Sequence, residues 1–219
     1  MSGTSKLTIG GDLQESAPFR GYTEDHSVPL GSWTLGTGVG FAAVGAGIVG
    51  RAASSTSLGG IQWDDTADAS DTARLDWTLP GQFKSQAVYS DDTPVFKLLV
   101  KARVRDGTGS ATANTDLALT AQIYFHAVGG TSVSSLSAVV SNVIGATDYA
   151  DATEEGFAWY TFDLYGAMST AQKAALRPLD TMDIVLAPDQ AVGTDLYIDV
   201  IGTVIRYKRH PSLEDNTAR

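Results

Sequence analysis

The stretch "PVFKLLVKARVRD", residues 94–106, alternates apolar side chains with mostly basic ones. Phe96, Leu98 and Val100 fall on one side of this alternation, while Lys97 and Lys101 fall on the other. Successive side chains of a β-strand point to opposite faces, so the two-residue period predicts a strand with one buried and one basic face. An α-helix, with its period of 3.6 residues, would mix the two sets. This part of the chain is therefore expected to form a sheet.

The same period recurs in later stretches of the chain. It is visible in "DLALTAQIYFHAV", "FAWYTFDL", "DIVLAP" and "DLYIDVIGTVIRYKR". The last of these, residues 195–209, carries apolar side chains on both faces, which predicts a central strand that is covered on each side. We expect the strands of residues 94–106 and 116–128 to pair with each other across the loop "GTGSATANT".

One stretch has the pattern of a helix. In "STAQKAALRPL", Ser169 or Thr170 can cap the first turn, and Pro178 ends the helix. Several strands separated by Gly, Asn and Asp turns, together with one short helix, predict an all-β protein. We expect an antiparallel two-sheet β-sandwich of the jelly-roll type.

The first 35 residues differ from the rest because they are polar and rich in Gly, Ser and Pro, with scattered apolar side chains. Such a segment buries little against itself, so it predicts an extended N-terminal arm that becomes ordered on a partner. The remaining residues, 36–219, have the size of a single sandwich domain.

Composition argues against several classes of function. The net charge of -10 disfavours direct binding of nucleic acid, whose phosphates are held by clustered Lys and Arg. The chain has no Cys, which removes disulfides, thiolate metal ligands and a Cys nucleophile. The first residues contain neither the apolar core of a signal peptide nor the length of a membrane span, so no membrane association is expected.

The segment "VGAGIVG" places Gly45, Gly47 and Gly50 in the G-x-G-x-x-G spacing of dinucleotide-binding loops. Such a loop needs a dense apolar strand before the first glycine and a helix that begins at the last one. Asp64 and Asp65 stand near the position of the ribose-binding acid, but glycines interrupt the preceding run and "GRAASSTSLGG" lacks helical periodicity. We interpret the segment as a small-residue stretch that allows close packing, and keep a dinucleotide-dependent enzyme as a third hypothesis.

No other motif predicts catalysis, a cofactor or a metal. His26, His126 and His210 are far apart in sequence and lack metal-binding spacing, and the adjacent Glu154 and Glu155 would point to opposite faces of a strand. An acidic turn lacks the residue order of a calcium loop and is interpreted as solvated; it contains Asp64, Asp65, Asp68, Asp71 and Asp76. The chain is predicted not to be an enzyme.

Charge is unevenly distributed along the sequence. No Lys or Arg lies between Arg105 and Lys173, whereas basic residues cluster in the strand of residues 94–106 and in "RYKRH". This separation fits either complementary contacts with a partner or two solvated faces. The candidate partner interface combines the apolar side chains of the arm with the basic strand face: Leu7, Ile9, Leu13, Phe19, Tyr22, Lys97, Lys101, Arg103 and Arg105.

A Cys-free chain with an N-terminal arm and a sandwich that ends in "DLYIDVIGTVIRYKR" resembles the jelly-roll cement, or decoration, proteins of tailed-bacteriophage capsids. The resemblance covers residues 75–208 as architecture. It implies a homo-oligomer, with a trimer favoured, that is assembled in the host cytoplasm and seated on the major capsid protein lattice of the virion. There the arm and loops would reach neighbouring subunits and reinforce the shell.

A carbohydrate-binding module is the alternative from another functional class. Jelly-roll sandwiches often present aromatic side chains on a sheet face or loop rim, where sugars can stack. The aromatic candidates for this role are Trp63, Trp77, Trp159 and Tyr160.

Overall fold

The computed structural model of the 219-residue chain describes residues 22–36, 50–51, 60–64, 66–84, 93–106, 117–126, 134–144, 146–147, 157–193 and 196–209. These residues form two β-sheets that face each other across one apolar core.

The strands, in chain order, are β1 (Tyr22–Val28), β2 (Thr34–Leu35), β3 (Gly50–Arg51), β4 (Ile61–Trp63), β5 (Ala73–Thr78), β6 (Phe96–Asp106), β7 (Leu117–His126), β8 (Ser134–Ile144), β9 (Ala146–Thr147), β10 (Ala158–Phe162), β11 (Thr181–Pro188) and β12 (Leu196–Arg209). The helices are a 3-10 turn (Leu30–Ser32), α1 (Leu164–Ala167) and α2 (Thr170–Ala175).

The seven-stranded sheet is built around β12. Its order is β10-β6-β12-β4-β3, with β1 paired to β12 and β9 paired to β6. β12 pairs with β6 along one edge, and with β4 and then β1 along the other. The prediction of a central strand at residues 195–209 is therefore confirmed.

The five-stranded sheet has the order β2-β5-β11-β7-β8. All its pairs are antiparallel, as are those of the other sheet except the two-residue pair β6–β9. Between consecutive described strands, the chain crosses from one sheet to the other at every connection except β3 to β4, β7 to β8 and β9 to β10. This alternation confirms the predicted all-β sandwich of the jelly-roll type.

The expected pairing of β6 with β7 is wrong, because the two strands lie in different sheets. β6 pairs with β10 and β12, whereas β7 pairs with β8 and β11. Alternation shows which face of a strand is buried, but both sheets of a sandwich bury one face against the same core. It therefore does not distinguish a neighbour in the same sheet from a strand in the opposite one.

The core lies between the two inner faces, and β6 and β7 both contribute to it as their periods predict. The fully buried side chains of these two strands are Phe96, Leu98, Val100, Ala102, Val104, Leu117, Leu119, Ala121 and Ile123. Among the largest buried side chains are Trp33, Trp63, Phe83 and Phe162, which come from outside both strands. One continuous core thus joins residues from across the described chain.

The predicted helix is confirmed as α2. Ser169 is its N-cap and forms a capping box with Gln172, in which each side chain accepts a hydrogen bond from the other residue's backbone N–H. The sequence pattern did not indicate the single turn of α1, which begins after Asp163, whose carboxylate accepts from the Gly166 N–H.

The second part of the predicted N-terminal arm is folded into the sandwich. Residues 22–35 belong to the sandwich: β1 pairs with β12 over seven residues, β2 pairs with β5, and Trp33 is 1% exposed. Trp33 donates from Nε1 to the Thr203 hydroxyl at 3.1 Å, which in turn donates to the Val28 carbonyl at 3.0 Å. The polar composition of this segment hid a strand, β1, whose partner β12 lies at the other end of the described chain. The rest of the predicted arm, residues 1–21, lies outside the described residues.

Candidate ligand-binding face

Trp159 is the prominent surface feature of the described chain. It lies in β10, at one edge of the seven-stranded sheet, and its side chain is 52% exposed. Leu179, in the turn before β11, is the other exposed large hydrophobic side chain among the described residues. A half-exposed indole on the outer face of a sheet is not buried in the core, so packing of the core does not explain a tryptophan at this position.

The outer face beneath Trp159 is shaped by Lys101 and Gly202. Trp159 is directly opposite Lys101 in β6, which is in turn opposite Gly202 in β12. A Cβ placed on Gly202 would lie 3.5 Å from Cη2 of Trp159 and 3.6 Å from Cβ of Lys101. The indole therefore reaches across the Lys101 position and rests near the bare backbone of Gly202. Since cross-strand neighbours project from the same face, Trp159 and Lys101 form one surface, here called the platform.

A β-bulge precedes Gly202 in this strand. The register of β12 against β6 shifts between Val200 and Gly202. Glycine in a strand interior often marks such a bulge or the close approach of another group. Gly202 is thus part of the platform, although it was not among the predicted site residues. The sequence signal for it is a single glycine within the apolar strand pattern of residues 195–209.

The platform continues along the strands into a row of ion pairs. Lys97 Nζ lies 3.9 Å from a carboxylate oxygen of Asp163, and Lys97 is opposite Arg206 in β12. Arg206 binds the Asp25 carboxylate through Nε and a terminal nitrogen, at 2.6 and 2.7 Å. This two-pronged contact lowers the pKa of Asp25 and raises that of Arg206. Lys97 and Arg206 are therefore already engaged by acidic side chains.

At the other end of the platform, Arg103 is buried, which contradicts its predicted place in an exposed basic interface. It is 4% exposed, and its Nε donates to Asp199 Oδ2 at 3.2 Å. Its guanidinium carbon lies 4.4 Å from the ring centroid of Phe157. The other oxygen of Asp199 accepts from Gln62 Nε2 at 2.6 Å. Alternation placed Arg103 on the outer face, but an acid in the neighbouring strand and an aromatic cover bury it there.

The remaining predicted interface residues divide into three groups. Lys97 and Lys101 are half-buried on the outer face of β6, on the side opposite to the core, as their alternation predicts. Tyr22 opens β1 and Arg105 lies in β6, opposite Tyr197, but their side chains are not described. The arm residues Leu7, Ile9, Leu13 and Phe19 lie outside the described residues.

Three of the four aromatic candidates for sugar binding are not on the platform. Trp63 is fully buried and donates from Nε1 to the Asp71 carbonyl at 2.8 Å. Trp77 packs against the core and meets the ring of His26 edge-on, with centroids 4.8 Å apart. Tyr160 also packs against the core, and burial raises the pKa of its hydroxyl. Among these four, Trp159 alone is exposed.

The glycine motif and the acidic turn do not form a second site in the described part of the chain. A strand, β3, begins at Gly50, where the dinucleotide hypothesis requires a helix, while Gly45 and Gly47 lie outside the described residues. In the turn, Asp64 accepts from the backbone and hydroxyl of Thr66, and Asp68 accepts from those of Ser70, which lowers the pKa of Asp68. Within the described ranges, no group of three His, Asp or Glu side chains is arranged to hold a metal ion.

None of the described helices has the length and apolar character needed to cross a membrane. Glu154, Glu155 and His210 fall outside the described residues, and the side chain of His126 is likewise not described.

Comparison with known proteins yields no family assignment. No protein-family model matches the sequence, and no curated protein matches it. Among solved structures, a xylan-binding module CBM15 is similar over 87% of this chain and 100% of its own length, with 11% identity and a TM-score of 0.46. This similarity is distant, so the function proposed below rests on the residues of this chain alone.

Proposed function

We propose that this protein is a non-catalytic carbohydrate-binding module that holds a sugar on the platform formed by Trp159, Lys101 and Gly202. The observation that carries the proposal is the 52% exposure of Trp159 on the open face of a sheet whose inner face builds the core. A pyranose ring has an apolar face of C–H groups and a rim of hydroxyls. An indole matches the first by stacking, while polar side chains beside it match the second.

The surroundings of Trp159 suit such a ligand. The indole edge lies over Gly202, 3.5 Å from the position that a Cβ would occupy there. Lys101, directly opposite in β6 and on the same face, adds a hydrogen-bonding ammonium. The platform thus combines one rigid aromatic plane with a hydrogen-bonding group on the same side.

The proposal is tested by affinity electrophoresis and calorimetry on a panel of soluble polysaccharides. Trp159→Ala is expected to weaken binding at least about tenfold, which corresponds to about 1.4 kcal/mol. Leu179→Ala is the matched control, because it truncates a side chain of similar exposure away from the sheet face. Unchanged binding in Trp159→Ala, or failure of the wild-type protein to bind any polysaccharide, would reject the function.

Capsid decoration, the role that the sequence resemblance implies, is the second proposal. Its support is the alignment of Lys97, Lys101 and Arg206 on one outer face of a chain with a net charge of -10. Asp163 and Asp25 pair with the first and the last of these, and Lys101 has no such partner among the described residues. An acidic lattice surface would complement that face. Co-sedimentation with emptied phage shells and a trimeric mass by light scattering would support this role. A monomer that does not bind shells would rule it out.

A further inference from the structure

We propose that the sugar stacked on Trp159 is an acidic one, a uronic acid residue whose carboxylate is bound by Lys101. This inference rests on the proposed function and names its substrate class. The inference is drawn from one juxtaposition: the exposed indole of Trp159 lies directly opposite the half-buried Lys101.

Lys101 differs from the other described basic side chains on this face. Lys97 contacts Asp163, Arg103 contacts Asp199, and Arg206 contacts Asp25. Lys208, further along β12, donates to the Thr93 carbonyl at 3.3 Å. Among the described residues, no carboxylate lies within ion-pair distance of the Lys101 ammonium. The cation beside the indole is thus the one that remains available for a ligand on the described part of this face.

A sugar that stacks on Trp159 buries Lys101, so the charge of the sugar affects its affinity. Any ring stacked on Trp159 also covers the position of Lys101, because the indole reaches across it towards Gly202. Removing an ammonium from water without a counter-charge is unfavourable, whereas a carboxylate on the ligand compensates for the lost hydration. A neutral sugar would offer only hydroxyls. The platform should therefore discriminate in favour of a carboxylate.

The register also indicates where the carboxylate is carried. Because the indole reaches from Trp159 across the Lys101 position to Gly202, a sugar ring stacked on it lies over the lysine. The carboxylate therefore belongs to the stacked sugar itself, as in a uronic acid, where it is attached to the pyranose ring. The net charge of -10 repels an anionic polymer from the protein as a whole, so the contact with Lys101 has to outweigh this repulsion.

The test compares each acidic polymer with its own neutral form. Polygalacturonate and hyaluronan are used alongside their carboxyl-reduced derivatives, and affinities are measured by calorimetry at low and moderate salt. The wild-type protein should bind at least one uronate polymer about tenfold more tightly than its reduced form, and this preference should shrink as salt is added. Equal affinity for both forms would overturn the inference while leaving the proposed function intact.

Three lysine variants separate a specific contact from overall charge. Lys101→Gln should lose most of the preference for the uronate polymer and retain binding of the reduced form. Lys101→Arg should keep the preference. Lys97→Gln is the matched control, because it removes the same charge from the same face of β6 four residues away, and it should change the preference less than threefold.

If Lys97→Gln and Lys101→Gln reduced the preference for the uronate polymer equally, the preference would reflect overall charge, and the inference would be overturned. Lys101-dependent binding of dextran sulfate, without binding of either uronate, would overturn the assignment to a carboxylate. Absence of binding to acidic and neutral polymers alike would instead reject the proposed function. Thermal melting of every variant confirms that each one is folded before its affinity is compared.

Discussion

Arg103 and Asp199 form an ion pair on the outer face of the seven-stranded sheet, with Nε to Oδ2 at 3.2 Å and side chains that are 4% and 11% exposed. Because Gln62 donates to the other oxygen of Asp199, the pair is part of a buried polar cluster next to the platform. Taking one partner away leaves the other charge buried without this counter-charge.

Asp199→Ala is expected to lower the free energy of unfolding by about 3–5 kcal/mol. Arg103→Met should also destabilise, and the double variant should lose clearly less than the sum of the two single variants, because the two side chains are in contact. Urea unfolding of all four proteins measures this coupling. Strictly additive losses would show that the two charges do not stabilise each other.

Gly60, which packs against β12, and Gly202, which lies within it, should differ in how far substitution by Ala changes stability. A Cβ on Gly60 would lie 2.6 Å from the backbone carbonyl oxygen of Val200, so the backbone must shift, and Gly60→Ala should cost about 1–3 kcal/mol. A Cβ on Gly202 meets only ordinary contacts at 3.5 and 3.6 Å, so Gly202→Ala should leave stability within about 1 kcal/mol of wild type. Thermal melts compare the two, and a similar loss in both would contradict the predicted clash.

Thr203 couples the N-terminal segment to the central strand. Its buried hydroxyl accepts from Trp33 Nε1 and donates to the Val28 carbonyl. Thr203→Val keeps the shape but leaves both groups unpaired, so it should destabilise by about 1–3 kcal/mol. Thr203→Ser keeps the hydroxyl and is the control in denaturant unfolding. Equal stability of the Val and Ser variants would mean that the hydroxyl contributes nothing.

The pH dependence of stability should reveal a carboxyl pair on the five-stranded sheet. Asp76 is directly opposite Asp183, and the hydrogen bond to Asp183, followed by burial and repulsion, raises the pKa of Asp76 above 3.8. The folded state thus holds this proton more tightly than the unfolded chain, a contribution that is lost as the pH rises through the folded pKa. Asp76→Asn cannot ionise, so it should raise the melting temperature at pH 7, with the gain vanishing below pH 3.8.

Asp25→Asn is the control of opposite sign. Arg206 lowers the pKa of Asp25, so its contribution is present above its ordinary value of 3.8 and is lost as the pH falls through the folded pKa. This variant should therefore lower the melting temperature at pH 7 and match wild type at low pH. If both variants shifted the melting temperature in the same direction at pH 7, the assignment of the two carboxyls would be wrong.

Local patterns in the sequence were sufficient for several features. Alternation identified the buried faces of β6 and β7, and apolar residues on both faces identified β12 as central. Ser169 caps the start of α2, and Pro178 follows three residues after its end at Ala175. Each of these features depends on the period or chemistry of residues adjacent in the chain, which a single sequence displays directly.

Other features depended on partners distant in sequence. Arg103 follows the same alternation as Lys101, yet it is buried because Asp199, 96 residues away, faces it across the sheet. Trp63 and Trp159 both lie in strands, but one is fully buried and the other half exposed. No local pattern separates these pairs, since the difference is set by which strand lies alongside.

The sequence by itself determined that this chain forms a β-sandwich. Apolar residues that recur every second position come together on one face only if the chain is a strand of a sheet. The tertiary structure alone decided that β6 pairs with β12 and not with β7, and that β1 closes onto the central strand. Those pairings bring Trp159, Lys101 and Gly202 together on one face. The physical reason is that hydrogen-bonded strand pairing is possible between many strands of similar pattern. Only the packing of the whole core selects one arrangement.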